Sequence, residues 1–156
     1  MKRSWIIEAI IAALLLLFSY AALSKMLDYD KFVFQMQLSP WHMLKTYAPV
    51  LGWLVPITEL GIVALLLIPR LRVTGLYASL CLMIIFEGYI TTMLLSGLDL
   101  PCTCGGLISR MSWPQHLIFN AFFILISLTA ILLHQKIKRQ GAFVSPFDKA
   151  SPFSRA

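Results

Sequence analysis

The chain has 156 residues, of which 59% are hydrophobic and 13% are charged, and this composition excludes an ordinary soluble domain. The formal net charge is +6, but the lysines and arginines cluster at the ends of apolar runs, which argues against a nucleic-acid partner. The expected surroundings are membrane lipid. We expect one transmembrane domain over residues 1–140, followed by a weakly ordered cytoplasmic tail over residues 141–156.

Four apolar runs are each long enough to cross a bilayer as a helix, which takes about 20 residues. They cover residues 5–23, 49–68, 73–96 and 117–134. A membrane β-barrel is excluded because the runs are continuously apolar and do not alternate. The sequence therefore predicts an all-α integral membrane protein with a four-helix bundle. Cys81, inside the third run, is expected to be a small core residue.

The first run also resembles a secretory signal peptide, since it follows Lys2 and Arg3 and ends with small residues near Ala21. Its apolar stretch is longer than the apolar core of a signal peptide, which usually has about 7–15 residues. We therefore expect the first helix to be retained. Its cleavage would leave the order of the other three helices, and hence their orientation, unchanged.

Basic residues divide unequally between the two predicted sides of the membrane. Nine of the 13 lysines and arginines fall on the side of the two chain termini. The other side holds Lys25, Lys31, Lys45 and Arg110. By the positive-inside rule, both termini are cytoplasmic. In the inner membrane of a bacterium, residues 98–116 then face the periplasm.

Residues 28–49 form the second outward segment. They are predicted to be an interfacial helix that covers the bundle, or else a linker held by its aromatic residues. Asp30 is the expected N-cap of that helix, and Ser39 with Pro40 gives a second helix start signal. Its apolar positions are Phe32, Val33, Met36 and Leu38. Several aromatic residues suit the half-wet headgroup layer: Phe32, Phe34, Trp41 and Tyr47.

Two cysteines, Cys102 and Cys104, stand one residue apart in the outer loop, within LPCTCGGLISRMSW. Cysteine pairs outside the cytoplasm are usually oxidised. A Cys-x-Cys disulfide needs a turn, which Pro101 and the following glycines can supply, and strain in it favours exchange over bracing. Three interpretations stay open: thiol–disulfide exchange, a Cu or Zn site formed by the two thiolates with His116, and a structural pair.

Polar residues in or beside the apolar runs are the other candidates. An unpaired carboxylate in lipid is costly, so Glu59 and Glu87 are expected to face the bundle interior, with Lys25 as the available cation. For Glu59 and Glu87, three roles are open: a proton relay, a quinone pocket, or structural hydrogen bonds between helices. His116 and Asn120 share one face at the start of the fourth helix. There the histidine can take a proton from a thiol, hydrogen-bond a quinone carbonyl, or simply pair with the asparagine.

Several short motifs resemble the MauE family of methylamine utilisation, within the wider DoxX-like group of four-helix membrane proteins. They are LSK after the first run, P…TEL in the second, FEGY in the third, and PCTCGG…SWPQHLIFN leading into the fourth. The resemblance covers roughly residues 5–135 and singles out Cys102, Cys104 and Glu59. Gly105 and Gly106 stand where many members have an aromatic residue.

The resemblance implies an inner-membrane protein linked to disulfide chemistry, or to maturation and transport of periplasmic redox proteins. It also implies a thioredoxin-like partner and, through the DoxX-like relatives, quinone-linked oxidation. The predicted function is thus thiol–disulfide exchange with a periplasmic protein. Whether the chain is itself an enzyme stays open. The alternative is a non-catalytic membrane chaperone or anchor for an envelope protein. An anchor tolerates loss of both cysteines, whereas a redox carrier does not.

Overall fold

The computed structural model describes residues 2–96 and 112–143. Its helices are α1 (Lys2–Leu27), α2 (Tyr29–Gln37), α3 (His42–Leu67), α4 (Arg72–Leu95) and α5 (Trp113–Phe143). Within these described ranges, four helices, namely α1, α3, α4 and α5, are long and apolar enough to cross a membrane. The prediction of an all-α, four-helix membrane bundle is confirmed.

The bundle is built on two closely packed helix pairs. α1 packs against α3 and α4 packs against α5, while contacts of α3 with α4 and of α1 with α5 join the two pairs. The core consists of interlocking aliphatic and aromatic side chains that include Leu14, Phe18, Leu66, Leu76 and Met83. We call the end of the bundle where α4 ends and α5 begins the loop end. The short helix α2, which connects α1 to α3, belongs to this end.

The short helix α2 is present, as the first of the two interpretations of residues 28–49 predicted, but it does not begin where we expected. Phe32, Val33 and Met36 are buried, including the phenylalanine that was expected to be half wet. The expected Asp30 cap is wrong, because Asp28 occupies the N-cap position and Asp30 lies in the first turn. The Asp28 side chain makes no capping hydrogen bond and pairs instead with Lys31 over 2.8 Å.

The helix α3 is longer than the apolar pattern predicted. It begins at His42 with Trp41 at the N-cap position, so the expected start at Ser39 and Pro40 is wrong, and it continues through both Pro49 and Pro56. The Ser39 hydroxyl instead accepts a hydrogen bond from the Trp41 backbone N–H over 3.3 Å. Each proline removes one backbone donor, but in apolar surroundings the helix remains the best way to satisfy all the others.

Cys81 is exposed on α4, so its prediction as a core residue is wrong. It lies in a groove between α3 and α4, beside Gly61 and Ala78. A transmembrane helix is apolar on every side, so the apolar character of its sequence does not tell which residues face the interior.

Candidate functional site

Lys25 and Glu59 form an ion pair inside the bundle. The Lys25 Nζ atom, near the end of α1, donates a hydrogen bond to Glu59 Oε1 of α3 over 2.7 Å. Only 5% of Lys25 and 0% of Glu59 is exposed. Two charges so far from solvent are tolerated because each neutralises the other. We call this contact the buried ion pair.

The Lys25 ammonium has three further neighbours. It lies 3.4 Å from the Ala21 carbonyl oxygen, 5.7 Å from the centre of the Phe32 ring and 5.4 Å from the centre of the Phe86 ring. Aromatic faces attract a cation within about 6 Å. The ammonium is therefore surrounded by groups from α1, α2, α3 and α4, which fixes its position.

Glu59 keeps one oxygen atom without a hydrogen bond from the described residues. Its Oε1 accepts from Lys25, whereas its buried Oε2 accepts from none of the side chains or backbone groups in the described ranges. Buried polar atoms in folded proteins are nearly always hydrogen-bonded. Among the described residues, Glu59 Oε2 is therefore a buried acceptor whose hydrogen-bonding capacity is unused.

A second set of polar side chains comes from α4 and α5. His116 and Asn120 are buried, and their spacing of four residues puts them on one face of α5. The His116 backbone N–H donates to the Ser112 carbonyl over 3.0 Å, which places this histidine in the first turn. Glu87 of α4 lies near both side chains.

One cavity adjoins both sets of polar residues. It has a volume of about 190 Å³ and is lined by residues from all five helices. Most of the lining is aliphatic or aromatic, and its polar members are Lys25, Glu59, Tyr89, His116 and Asn120. An apolar cavity with a few converging polar groups is the usual form of a small-molecule site.

The short helix α2 forms one wall of the cavity through Phe32 and Met36. It is held against α3 by a hydrogen bond of 2.9 Å from the Tyr29 hydroxyl to the Pro49 carbonyl. It also lies close to Gly52, where an added Cβ atom would stand 2.7 Å from Tyr29 Cε2. The small residue at position 52 thus allows the wall to approach α3.

The structure brings together most of the described residues that the sequence singled out. Lys25, Glu59, His116 and Asn120 surround the cavity, whereas Glu87 is only partly buried and does not line it. Sequence reasoning missed Phe86 and Tyr89 as lining residues, although both belong to the FEGY motif. It also missed the cavity-facing role of Phe32 and Met36, whose four-residue spacing indicated only a buried face.

Cys102 and Cys104 lie in residues 97–111, outside the described residues, as does Arg110. The described chain stops at Ser96 and resumes at Ser112. Among the described residues, no group of three or more His, Cys, Asp or Glu side chains is placed to hold a metal ion. The Cu or Zn site at the two thiolates stays a prediction, as do the orientation of the termini and the nature of the tail beyond residue 143.

The fold and the cavity define a multi-pass membrane protein with a polar-edged cavity between its helices. Residues 3–133 match the family model described as methylamine utilisation protein MauE. Because this match covers most of the chain, the protein belongs to the MauE family, which implies a role in methylamine utilisation. No curated protein and no solved structure is significantly similar to it. Membership of the DoxX-like group stays a prediction.

Proposed function

We propose that this protein is a redox carrier of the bacterial inner membrane. Cys102 and Cys104 exchange disulfides with a periplasmic, thioredoxin-like protein, and the electrons pass on to a quinone in the cavity. The exchange supports the maturation of periplasmic redox proteins that serve methylamine utilisation. In this proposal residues 98–116 face the periplasm, where the partner meets the two cysteines.

The position of the cavity is the observation that carries this proposal. Tyr89 and His116 both line it, and they lie seven residues before Ser96 and four residues after Ser112, respectively. These serines bound the segment that contains the two cysteines. Short stretches of chain therefore connect a dithiol to an apolar site with polar edges.

The exchange at the cysteines balances in atoms and electrons. A partner thiolate attacks the disulfide of Cys102 and Cys104, which gives a mixed disulfide and one free thiol on this chain. The second partner thiol then attacks the mixed disulfide. The partner leaves as a disulfide, and this chain keeps two thiols, having gained two electrons and two protons.

The residues around the cavity fit a quinone. A quinone ring is apolar and its carbonyl oxygens accept hydrogen bonds, while the cavity has apolar walls and side-chain donors on Lys25 and Asn120. Its Glu59 carries a buried oxygen with no hydrogen bond from the described residues, which is the acceptor we assign to the hydroxyl of the reduced form. A bound quinone supplies the acceptor for the two electrons and two protons of the dithiol. His116, near the cysteine segment, can hold a proton on its ring.

The redox state of the two cysteines tests this proposal. In a Cys81→Ser background, a mass-tagged maleimide counts only the thiols of Cys102 and Cys104, since the chain has three cysteines. We expect both to be labelled in membranes from a quinone-deficient host, and labelling to fall when a quinone is added back. Labelling that does not respond to quinone would contradict the quinone link.

A further inference from the structure

The buried ion pair has no evident structural need for its charges. Replacing such a pair by well-packed apolar side chains is often neutral or stabilising, because each ion must first be removed from water. The other ion pair between α1 and a later helix, among the described residues, is Arg72 with Glu8 over 2.6 Å. The Arg72 side chain is 32% exposed and that of Glu8 is 52% exposed, and neither lines the cavity. Of the lysine, arginine, aspartate and glutamate side chains that the structure describes, only Lys25 and Glu59 are both buried and in the cavity lining.

The pair presents both a donor and an acceptor. An ammonium has three N–H donors, and within the described residues Lys25 directs one to Glu59 and one, over a longer distance, to Ala21. The phenyl rings of Phe32 and Phe86 flank the ammonium and accept no ordinary hydrogen bond. Beside this donor, Glu59 Oε2 is a buried acceptor with no hydrogen bond from the described residues.

A donor and an acceptor side by side suit an oxygen atom that changes between carbonyl and hydroxyl. A carbonyl oxygen accepts from the Lys25 ammonium, and a hydroxyl at the same place can donate to Glu59 Oε2. A carboxylate ligand would gain from the lysine but would be repelled by the glutamate. The apolar lining of the cavity selects a hydrophobic body for the molecule that bears this oxygen.

We propose that the buried ion pair binds one ring oxygen of a quinone in both redox states, through Lys25 in the oxidised form and through Glu59 in the reduced form. This inference rests on the proposed function and names the residues that hold its ligand. Lys25 and Glu59 act here as binding residues. Their role in binding both redox forms of one ligand explains why two charged side chains occupy positions that apolar residues could fill.

Binding of decylubiquinone and its quinol to the purified full-length protein in lipid nanodiscs tests the inference. We expect Glu59→Gln to weaken quinol binding about tenfold relative to quinone binding, because an amide N–H₂ takes the place of the free acceptor oxygen. A residue that only supports the fold would change both affinities alike. Unchanged relative affinities in a folded Glu59→Gln protein would overturn the inference.

A double variant protects the test against misfolding. Lys25→Met combined with Glu59→Leu removes both charges, leaves neither ion unpaired, and should lower affinity for both forms about tenfold or more while the protein stays folded. Glu8→Gln combined with Arg72→Met removes the exposed pair and should leave both affinities within about twofold. Unchanged affinities in the folded double variant at Lys25 and Glu59 would also reject the inference.

The binding assay is repeated in a Cys102→Ser/Cys104→Ser protein, which separates the inference from the proposed function. Pair-dependent quinone binding in that protein supports the inference even if disulfide exchange is never found. Exchange that depends on quinone but not on Lys25 or Glu59 supports the proposed function and rejects the inference. Wild-type protein that binds neither redox form would also reject the inference.

Discussion

The Tyr29 hydroxyl of α2 donates a hydrogen bond to the Pro49 carbonyl of α3 over 2.9 Å. The same ring stacks at a tilt beside Trp53, with 5.3 Å between the ring centres, and passes close to Gly52. Since α2 also provides Phe32 to the cavity lining, this contact sets the position of one cavity wall.

Gly52→Ala should therefore destabilise the protein. The new Cβ atom would stand 2.7 Å from Tyr29 Cε2 and 2.7 Å from Val33 Cγ2, so these two side chains of α2 must shift. Overpacking of this kind costs about 1–3 kcal/mol, and we expect the loss in thermal unfolding of the detergent-solubilised protein.

Gly61→Ala is the matched control in the same helix. Nothing lies within 4 Å of an added Cβ atom there, so the substitution should be neutral or stabilise α3 by up to about 1 kcal/mol. Equal unfolding temperatures for the two alanine variants would show that the fold does not depend on the close approach at Gly52.

The buried ion pair predicts strong coupling between two substitutions. Lys25→Met alone leaves Glu59 as a buried, unpaired carboxylate, and Glu59→Leu alone leaves an unpaired ammonium. Each single change should lower the free energy of unfolding by about 3–5 kcal/mol, while the double variant recovers most of the loss. A double-mutant cycle measured by chemical unfolding gives the coupling directly.

The exposed pair of Glu8 and Arg72 provides the comparison. Its side chains remain in contact with solvent, so its coupling energy should stay below about 1 kcal/mol. If both cycles gave the same small coupling, the pair of Lys25 and Glu59 would not behave as a desolvated ion pair.

The cost of charge in lipid explains what could be predicted from the sequence. Glu59 stood out because a carboxylate inside an apolar run needs a partner, and Lys25 stood out as the available cation. The number of transmembrane helices followed from run length alone. The start of α3 could not be predicted in the same way. The apolar run begins only at Pro49, whereas the helix already begins at His42 and includes the more polar residues between them.

The cavity itself could not be predicted from the sequence. Its walls combine Leu17, Phe32, Val55, Phe86 and Phe119 from five different helices. Apolar residues cover every face of a transmembrane helix, so their pattern does not distinguish a cavity wall from a lipid-facing surface. The same reason explains the wrong prediction for Cys81, which has apolar neighbours in the sequence but is exposed in the fold.

The orientation of the chain is tested by thiol labelling. From the excess of basic residues on the side of the membrane that holds both termini, we expect the cysteine segment to face the periplasm. In a Cys81→Ser background, after reduction, a membrane-impermeant maleimide should label intact spheroplasts. A double Cys102→Ser/Cys104→Ser protein gives the background signal. Labelling that requires lysis would place the segment in the cytoplasm and remove the oxidising compartment from the proposed function.

Single cysteine variants should trap the partner of the exchange reaction. Thiol–disulfide exchange is reversible, so in the reverse direction one loop cysteine attacks the disulfide of the oxidised partner to form the mixed disulfide, and the other is needed to release the partner. One of the two variants, Cys102→Ser or Cys104→Ser, should therefore accumulate a covalent adduct. We expect a reductant-sensitive band on a non-reducing gel, in which mass spectrometry identifies a periplasmic thioredoxin-like protein. Cys81→Ser keeps both loop cysteines and should trap nothing, because release remains possible.

Complementation by the cysteine variants, together with adduct formation, decides between a redox carrier and an anchor. A carrier needs both loop thiols, so the double Cys102→Ser/Cys104→Ser variant should fail to complement a deletion strain during growth on methylamine. An anchor works through its shape, so the same variant would complement fully and neither single variant would form an adduct. Adduct formation also requires Cys102 and Cys104 to be accessible to a partner, because a thiolate must reach the disulfide directly.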